Sequence, residues 1–346
     1  MEKPYFTLSK KIILEKYFEI EQISDLVSYS SKTNPLVSPI LEQETKTYFS
    51  IHLENELKNV SDKKRVIYLA QGWNEKSIYR LMLEGIDKFA VDNEPDLEEL
   101  LNFLKKNPLQ KIEILFLRMK LKENTLKTEK FFVFGMKSET INQQIKKLKN
   151  HPQIKNLGIH THRKTQNMAE WNLEYEYQQV LSEETMETIN YLNIGGGLPS
   201  TYANTNEKVI DSIKEKIKQL KKYLNEKNIK LIIEPGRYIA APAGKLHSKI
   251  LRIYENNIIV NASVYNTDMD ALIVPVKLLI EGEEKKGEGE PYVIKGITPC
   301  SMDLFRYRVY LKKPQEGDEI IFLNAGAYNF SSNFVDLEEL ETRIID

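Results

Sequence analysis

A single cysteine, Cys300, in 346 residues excludes an internal disulfide and any all-cysteine metal site. It leaves either a small buried hydrophobe or a reactive thiol. The chain also lacks an excess of either charge, with 49 Lys+Arg against 50 Asp+Glu. Without a broad basic surface to neutralise a phosphodiester backbone, nucleic acid is not an expected partner. Long apolar runs are missing too: stretches such as Ile112–Leu117 and Ile258–Val260 fall far short of a membrane span. The opening Met1-Glu2-Lys3-Pro4-Tyr5 does not read as a signal peptide, so a cytoplasmic protein with no membrane partner is expected. No metal site is expected. What is present, 41% hydrophobic and 29% charged residues, can bury one large core and a smaller satellite.

Short β-rich runs recur at Leu26–Ser31, Thr47–His52, Arg65–Ala70, Lys88–Asn93, Ile112–Met119, Asn156–His162, Tyr191–Gly196 and Leu231–Pro235. Between them, Glu75–Glu84, Glu94–Lys106, Ser138–Asn150 and Asn206–Asn228 carry apolar residues at helical spacing among Lys and Glu. Eight alternating units predict an α/β protein built on a (β/α)8 TIM-type barrel. After Gly244 the texture changes to strand-like pieces: Lys249–Tyr254, Ile258–Val264, Ala271–Glu281, Pro291–Ile297, Arg306–Leu311 and Glu319–Leu323, with Glu281–Glu290 as a hairpin tip. The expected division is an N-terminal segment 1–22 packing with the β domain, a barrel over 23–245, and a C-terminal β domain over 246–346.

In such a barrel, catalytic groups sit at the carboxyl ends of the strands. Those positions hold Lys32, His52, Asp92-Asn93, Arg118, His160 and His162, Gly195-Gly196-Gly197, and Glu234-Pro235-Gly236-Arg237. Consecutive glycines let backbone N–H groups approach an anion, and barrels often bind phosphate in the loops after strands seven and eight. Those loops carry Gly195, Gly196, Gly197 and Arg237, which makes a phosphate site the favoured reading.

Six motifs then fall in order: Ser28-Tyr29-Ser30-Ser31-Lys32-Thr33-Asn34-Pro35, Val91-Asp92-Asn93, Gly158-Ile159-His160-Thr161-His162, Ile194-Gly195-Gly196-Gly197-Leu198-Pro199, Glu234-Pro235-Gly236-Arg237 and Asn324-Ala325-Gly326-Ala327-Tyr328. Together they resemble the fold-type III decarboxylases that use pyridoxal 5'-phosphate (PLP), the group of ornithine, diaminopimelate, arginine and carboxynorspermidine decarboxylases. The resemblance implies an alanine racemase-like fold and a cytoplasmic homodimer with shared active sites. It implies that Lys32 forms a Schiff base with PLP and then serves in proton transfer, while Glu234 pairs with the pyridine nitrogen. His162 would stack on the ring, and Gly195, Gly196, Gly197, Gly236, Arg237 and Tyr328 would hold the phosphate. Arg118 and Asp92 either orient these groups or form a structural salt bridge.

Specificity is less legible. The loop Gly296-Ile297-Thr298-Pro299-Cys300-Ser301-Met302-Asp303 is similar to the family's cysteine loop with the cysteine displaced by one. Either the loop shifts so that Cys300 acts as the acid, or the acid lies elsewhere and Cys300 lines the pocket. Asn261-Ala262-Ser263 departs from the ornithine type, and the arginine and Cys-Glu-Ser loop of the diaminopimelate type are missing. In place of the family's His-Ile-Gly-Ser stands His162-Arg163-Lys164-Thr165, with Asp303, Arg306 and Arg308 following the cysteine. If Arg163, Lys164, Arg306 or Arg308 faces the pocket, the substrate carries an additional anionic group, and Arg118, Cys300 and Asp303 are further candidates for contact with it. The expected activity is decarboxylation of a diamino acid or a carboxylated polyamine-type substrate. A racemase or epimerase using Tyr265 or Tyr307 as second base is the alternative, and a non-catalytic PLP-binding protein a weaker one.

Overall fold

The computed structural model describes residues 2–121, 133–205, 208–329 and 331–346. The chain divides into two compact units, one of Tyr17–Leu198 and Lys208–Gly236, the other of Met1–Lys16, Pro199–Glu207 and Arg237–Asp346. It opens with β1 (Tyr5–Ser9) and α1 (Lys10–Glu21). Then β2 (Leu26–Ser30), β3 (Tyr48–Ile51), β4 (Val66–Ala70), β5 (Lys88–Val91), β6 (Ile112–Arg118), β7 (Ile154–His160), β8 (Tyr191–Asn193) and β9 (Lys230–Ile233) close a parallel barrel. Closure is made by β9 on β2, with Leu26 opposite Ile232 and Val27 opposite Ile233. All eight strands lie within a few residues of the positions that alternation predicts, because strands covered on both faces read as short apolar runs.

The connecting helices are α2 (Val37–Glu44), α3 (Glu75–Leu83), α4 (Glu94–Lys106), α5 (Ser138–Leu148), α6 (Leu173–Val180), α7 (Glu183–Thr188) and α8 (Lys208–Asn225). Asn206 and Glu207, expected to begin the last of these, lie outside the described residues. In α8, Ile213, Ile217, Leu220 and Leu224 are buried at steps of four, three and four, so one stripe faces the barrel while the Lys/Glu positions face water. Asn93 caps α4 by accepting the Asp96 N–H, with Glu94 and Asp96 in the first turn and Lys105 and Lys106 in the last. The Asp92-Asn93 pair therefore divides its work, since Asn93 starts a helix and Asp92 is left for the rim.

Inside the barrel, Ile67, Ala90, Ile114, Phe116 and Ile232 form a core cluster. Phe116 stands opposite Gly158 across the β6/β7 pair, and a Cβ on Gly158 would lie 2.6 Å from the Phe116 ring. Glycine is required there to make room for the aromatic, rather than for backbone freedom.

The second unit holds α9 (Arg237–Ala243), β10 (Gly244–Tyr254), β11 (Asn257–Val260), α10 (Val264–Thr267), α11 (Asp270–Ile273), β12 (Leu279–Ile280), β13 (Glu290–Lys295), β14 (Leu304–Leu311), β15 (Glu319–Leu323) and β16 (Thr342–Ile345). Its sheet runs β12-β15-β10-β11-β13-β14, with β1 paired to β10 and to β16. Arg237–Ala243 groups with this sheet rather than with the barrel, since Arg237 pairs with Asp270 and the Gly326 N–H bonds the Ala241 carbonyl. Two local expectations are corrected. Ala271–Glu281 is mostly not strand, because the Asp270 carbonyl accepts the Val274 N–H and closes a short helix. Glu281–Glu290 is not a hairpin tip, because β12 pairs with β15 while β13 pairs with β11 and β14.

Truncating Phe116 to Ala is expected to cost the barrel about 3–5 kcal/mol, the usual range for emptying a buried aromatic site. Urea unfolding followed by circular dichroism checks this. A loss below about 1 kcal/mol would show that the site collapses around the missing ring.

Candidate active site

Glu234, the residue after β9, is buried at 3% exposure. Its Oε2 lies 3.2 Å from His160 Nε2 at the end of β7, and its Oε1 accepts from Asn193 Nδ2 at 2.8 Å at the end of β8. The Ser50 hydroxyl on β3, bonded to Ser28 Oγ at 2.8 Å, also favours the charged form of Glu234. Burial by itself pushes this carboxyl up, but His160, the Asn193 hydrogen bond and the nearby Ser50 hydroxyl outweigh it and hold Glu234 well below the usual carboxylate range. The barrel thus carries a fixed, fully ionised carboxylate.

Lys32 sits in the tight 3-10 turn Ser31–Thr33 that follows β2. Tyr29 donates to the Asn34 carbonyl, Asn34 Oδ1 accepts the Leu36 N–H, and Ser38 donates to Ser31 Oγ, so the turn is tied on both sides of the lysine. The side chain reaches solvent while protein surrounds most of it. That burial lowers its amine from the ordinary value of 10.5; Glu234 and Glu56 oppose the shift and Arg118 adds to it. Lys32 lines a cavity of ≈ 340 Å³ with His52, Gln71, Arg118, His162 and Lys164 among its polar groups and Leu69, Met119, Leu121 and Phe134 among its apolar ones.

The glycine triplet is packed, not loose. Gly195 and Gly197 have φ of +66° and +95°, and a Cβ on Gly195 would meet the Thr161 carbonyl at 2.4 Å. Gly196 is excluded from bearing a side chain by the Glu234 carbonyl, 2.8 Å from its would-be Cβ. Two of the three N–H groups work internally: Gly195 donates to Asn193 Oδ1 at 2.9 Å, and Gly196 to His162 Nδ1 at 3.2 Å. Asn193 thereby links the glycine turn to Glu234. Among the described residues, the N–H groups of Gly197 and of buried Gly236 have no partner, and neither does buried Thr33 Oγ1, which a Cβ on Gly236 would strike at 2.1 Å. Unpaired buried polar groups in a native fold call for a ligand or water.

His162 accepts the Gly196 N–H at Nδ1, which fixes the neutral ring with its proton on Nε2. Burial, reinforced by Arg118, holds it well below the ordinary histidine value. Arg118 donates to Asp92 at 2.9 Å and lies 5.0 Å over the Phe134 ring, so it lines the cavity already neutralised. Arg163 also lines this cavity. Its side chain is 1% exposed and gripped by both Glu176 oxygens at 2.7 Å, with Glu170 at 3.3 Å, so the guanidinium is already paired within the protein. It anchors the segment after His162 to α6. Lys164 remains at the cavity wall.

In the sheet unit, Arg237 clamps Asp270 through both guanidinium nitrogens, donates to Tyr202 OH at 2.8 Å and lies 4.9 Å over the Tyr328 ring. Cys300 is half-buried in a turn whose Thr298 Oγ1 accepts its N–H. Asp303 and Arg306 hold this unit together rather than offering free charges. Asp303 accepts from Ser263, the Val264 N–H, and both the N–H and hydroxyl of Thr298; Arg306 binds the Leu278 carbonyl and both oxygens of Glu283. Asn193, Ser50 and Glu56 escaped the sequence reading, for their roles depend on strands that meet only in the closed barrel.

The His162 geometry fixes a pH response. Its folded value lies below the ordinary 6.5, so the unfolded chain binds the proton first; stability is full above 6.5 and falls as pH drops below it. His52 and His151 are lowered in the same sense. The melting temperature is expected to drop between about pH 7.5 and about pH 5.5, and His162→Asn to lessen the drop without removing it. An equal drop in the variant would deny His162 this role.

Residues 16–241 match the family described as "Pyridoxal-dependent decarboxylase, pyridoxal binding domain". Diaminopimelate decarboxylase of Haemophilus influenzae is 31% identical over 166 residues, covering 45% of this chain and 39% of that protein; the Neisseria meningitidis enzyme is 22% identical over 354 residues, covering 95% and 85%. The matches to the Haemophilus influenzae and Vibrio cholerae relatives span only 39% and 36% of their lengths. Among solved structures, diaminopimelate decarboxylase from Helicobacter pylori complexed with L-lysine superposes with a TM-score of 0.82 at 18% identity, covering 100% of this chain and 92% of that one. Lysine/ornithine decarboxylase from Vibrio vulnificus, complexed with putrescine, gives 0.80 at 21% identity, covering 99% and 94%. At such identities the structural likeness shows the fold. The matched family, with the closed barrel and its sheet unit, makes this chain a member of the pyridoxal-dependent decarboxylases of fold type III.

Proposed function

We propose that the protein decarboxylates a diamino acid or a carboxylated polyamine-type amino acid, using pyridoxal phosphate held by Lys32, and works as a cytoplasmic homodimer with shared active sites. The observation that carries this reading is Glu234, an ionised carboxylate fixed by His160 and Asn193 in the barrel that also bears a lysine of lowered pKa. The residues fit the cofactor. Gly197 and Gly236 offer unpaired backbone N–H groups and Thr33 an unpaired hydroxyl in loops with no room for a side chain, as a phosphate requires.

When bound, pyridoxal phosphate supplies an electron sink for the pair left on carbon as carbon dioxide departs. Lys32, with its amine lowered by burial, is the group that would hold the cofactor's aldehyde carbon and exchange it for the substrate amine. Glu234 would accept the pyridine N–H and keep that proton in place, which a neutral partner could not do. Neutral His162 presents a ring without competing positive charge, its orientation locked by Gly196. Arg237 and Tyr328 remain phosphate candidates of the sheet unit, and Cys300 the candidate acid offered by a partner subunit.

The diamino-acid class is supported by the curated relatives, named as diaminopimelate decarboxylases. Of the candidate readers for an extra anion on the substrate, Arg163 and Arg306 are already paired with glutamates. Protein reconstituted with pyridoxal phosphate is expected to be yellow and to release carbon dioxide from at least one of ornithine, lysine, arginine, diaminopimelate and carboxynorspermidine. Lys32→Ala should lose both properties. A colourless wild type would overturn the cofactor assignment, and α-hydrogen exchange without carbon dioxide would replace the decarboxylase with a racemase.

A further inference from the structure

We propose that His52, backed by Glu56, is the base that takes a proton from the substrate's α-ammonium group in the Lys32 cavity; the inference rests on the decarboxylase reading above. His52 directly follows β3 and lines the cavity beside Lys32, Arg118 and His162. Its ring lies beside a carboxylate. Nδ1 lies 3.8 Å from Glu56 Oε1, and that same oxygen accepts the His52 and Leu53 N–H groups at 3.0 and 3.1 Å, so the carboxylate is pinned to the turn that carries the imidazole. His52 Nδ1 and Glu56 Oε2 are both buried without a hydrogen-bond partner. With Nδ1 turned toward the carboxylate and carrying the proton, Nε2 is left to present its lone pair to the cavity.

The other polar groups of the cavity are less suited to this task. His162 already uses Nδ1 as acceptor for Gly196, Arg118 is paired with Asp92, and Lys32 is the expected cofactor anchor. The charged groups acting on His52 are Glu56 from its own loop, Lys32 from the turn after β2 and Glu234 from β9. Burial and Lys32 lower the imidazole while Glu56 and Glu234 oppose them, so it enters the reaction neutral, as a base requires.

An amino acid arrives with its α-amine protonated, and an ammonium cannot attack carbon. One ammonium N–H bond breaks, its electron pair stays on the amine nitrogen, and the proton forms a new bond to His52 Nε2. The imidazolium so formed faces Glu56, and the proton then passes to solvent.

The test compares kcat/KM against pH for holoenzyme of wild type, His52→Gln and Glu56→Gln. Wild type should reach a plateau above an acid limb at or below about pH 6.5, set by His52. His52→Gln should be about a hundredfold slower near neutral pH and climb about tenfold per pH unit as the substrate amine deprotonates unaided, closing the gap with wild type. Glu56→Gln should move the acid limb to lower pH. Independently, nitrogen-15 NMR of histidine-labelled protein without substrate should show neutral His52 protonated on Nδ1, and this readout decides the matter if either variant fails to load cofactor. A wild-type pH profile in His52→Gln, or a His52 ring protonated on Nε2, would overturn the inference while leaving the decarboxylase reading intact. If wild type releases no carbon dioxide from any amino acid, the decarboxylase reading fails, and the base role fails with it.

Discussion

The structure of the site depends on keeping one carboxylate charged inside a protein. Taking an ion from water costs several kcal/mol, and an unpaired buried acid relieves that cost by picking up a proton. Glu234 escapes this chiefly through His160 and Asn193, contributed by different barrel strands. The charge is therefore a product of barrel closure: a slip of either strand would remove a partner and let burial raise the carboxyl. The same Asn193 that donates to Glu234 accepts the Gly195 N–H, so the acid and the glycine turn share one support.

The glycines at the rim illustrate how packing and chemistry are combined. Gly195, Gly196 and Gly236 lie against backbone or side-chain atoms that would collide with any Cβ. The Gly195 and Gly196 N–H groups already serve Asn193 and His162, while those of Gly197 and Gly236 have no partner among the described residues. The triplet thus orients a histidine as well as making a tight turn, a division that a run of three identical letters cannot express.

Much of the scaffold was legible because its signals are local. Apolar runs of strand length, Asn93 ahead of an acidic first turn, and the four-three-four spacing of Ile213, Ile217, Leu220 and Leu224 each arise from rules that act over a few residues. The segment Ala271–Glu281 was misread, since its helical turn is set by backbone closure on Asp270 while Asp270 itself is held by Arg237, 33 residues earlier. The fate of Arg163 was equally hidden: whether a guanidinium beside a motif histidine meets substrate or glutamate depended on how α6 would bring Glu176 to it. Residue types and rim positions were readable, but their electrostatic partners came from strands and helices distant in sequence.

As a carboxylate, Glu234 is proposed to be the group that would accept the N–H of the cofactor's ring nitrogen. Nitrogen-15 NMR of protein reconstituted with pyridoxal phosphate labelled at the pyridine nitrogen tests it most directly. The account predicts a protonated ring nitrogen in wild type across neutral pH and an unprotonated one in Glu234→Gln. An unprotonated nitrogen in wild type, or one that stays protonated in the variant, would contradict it.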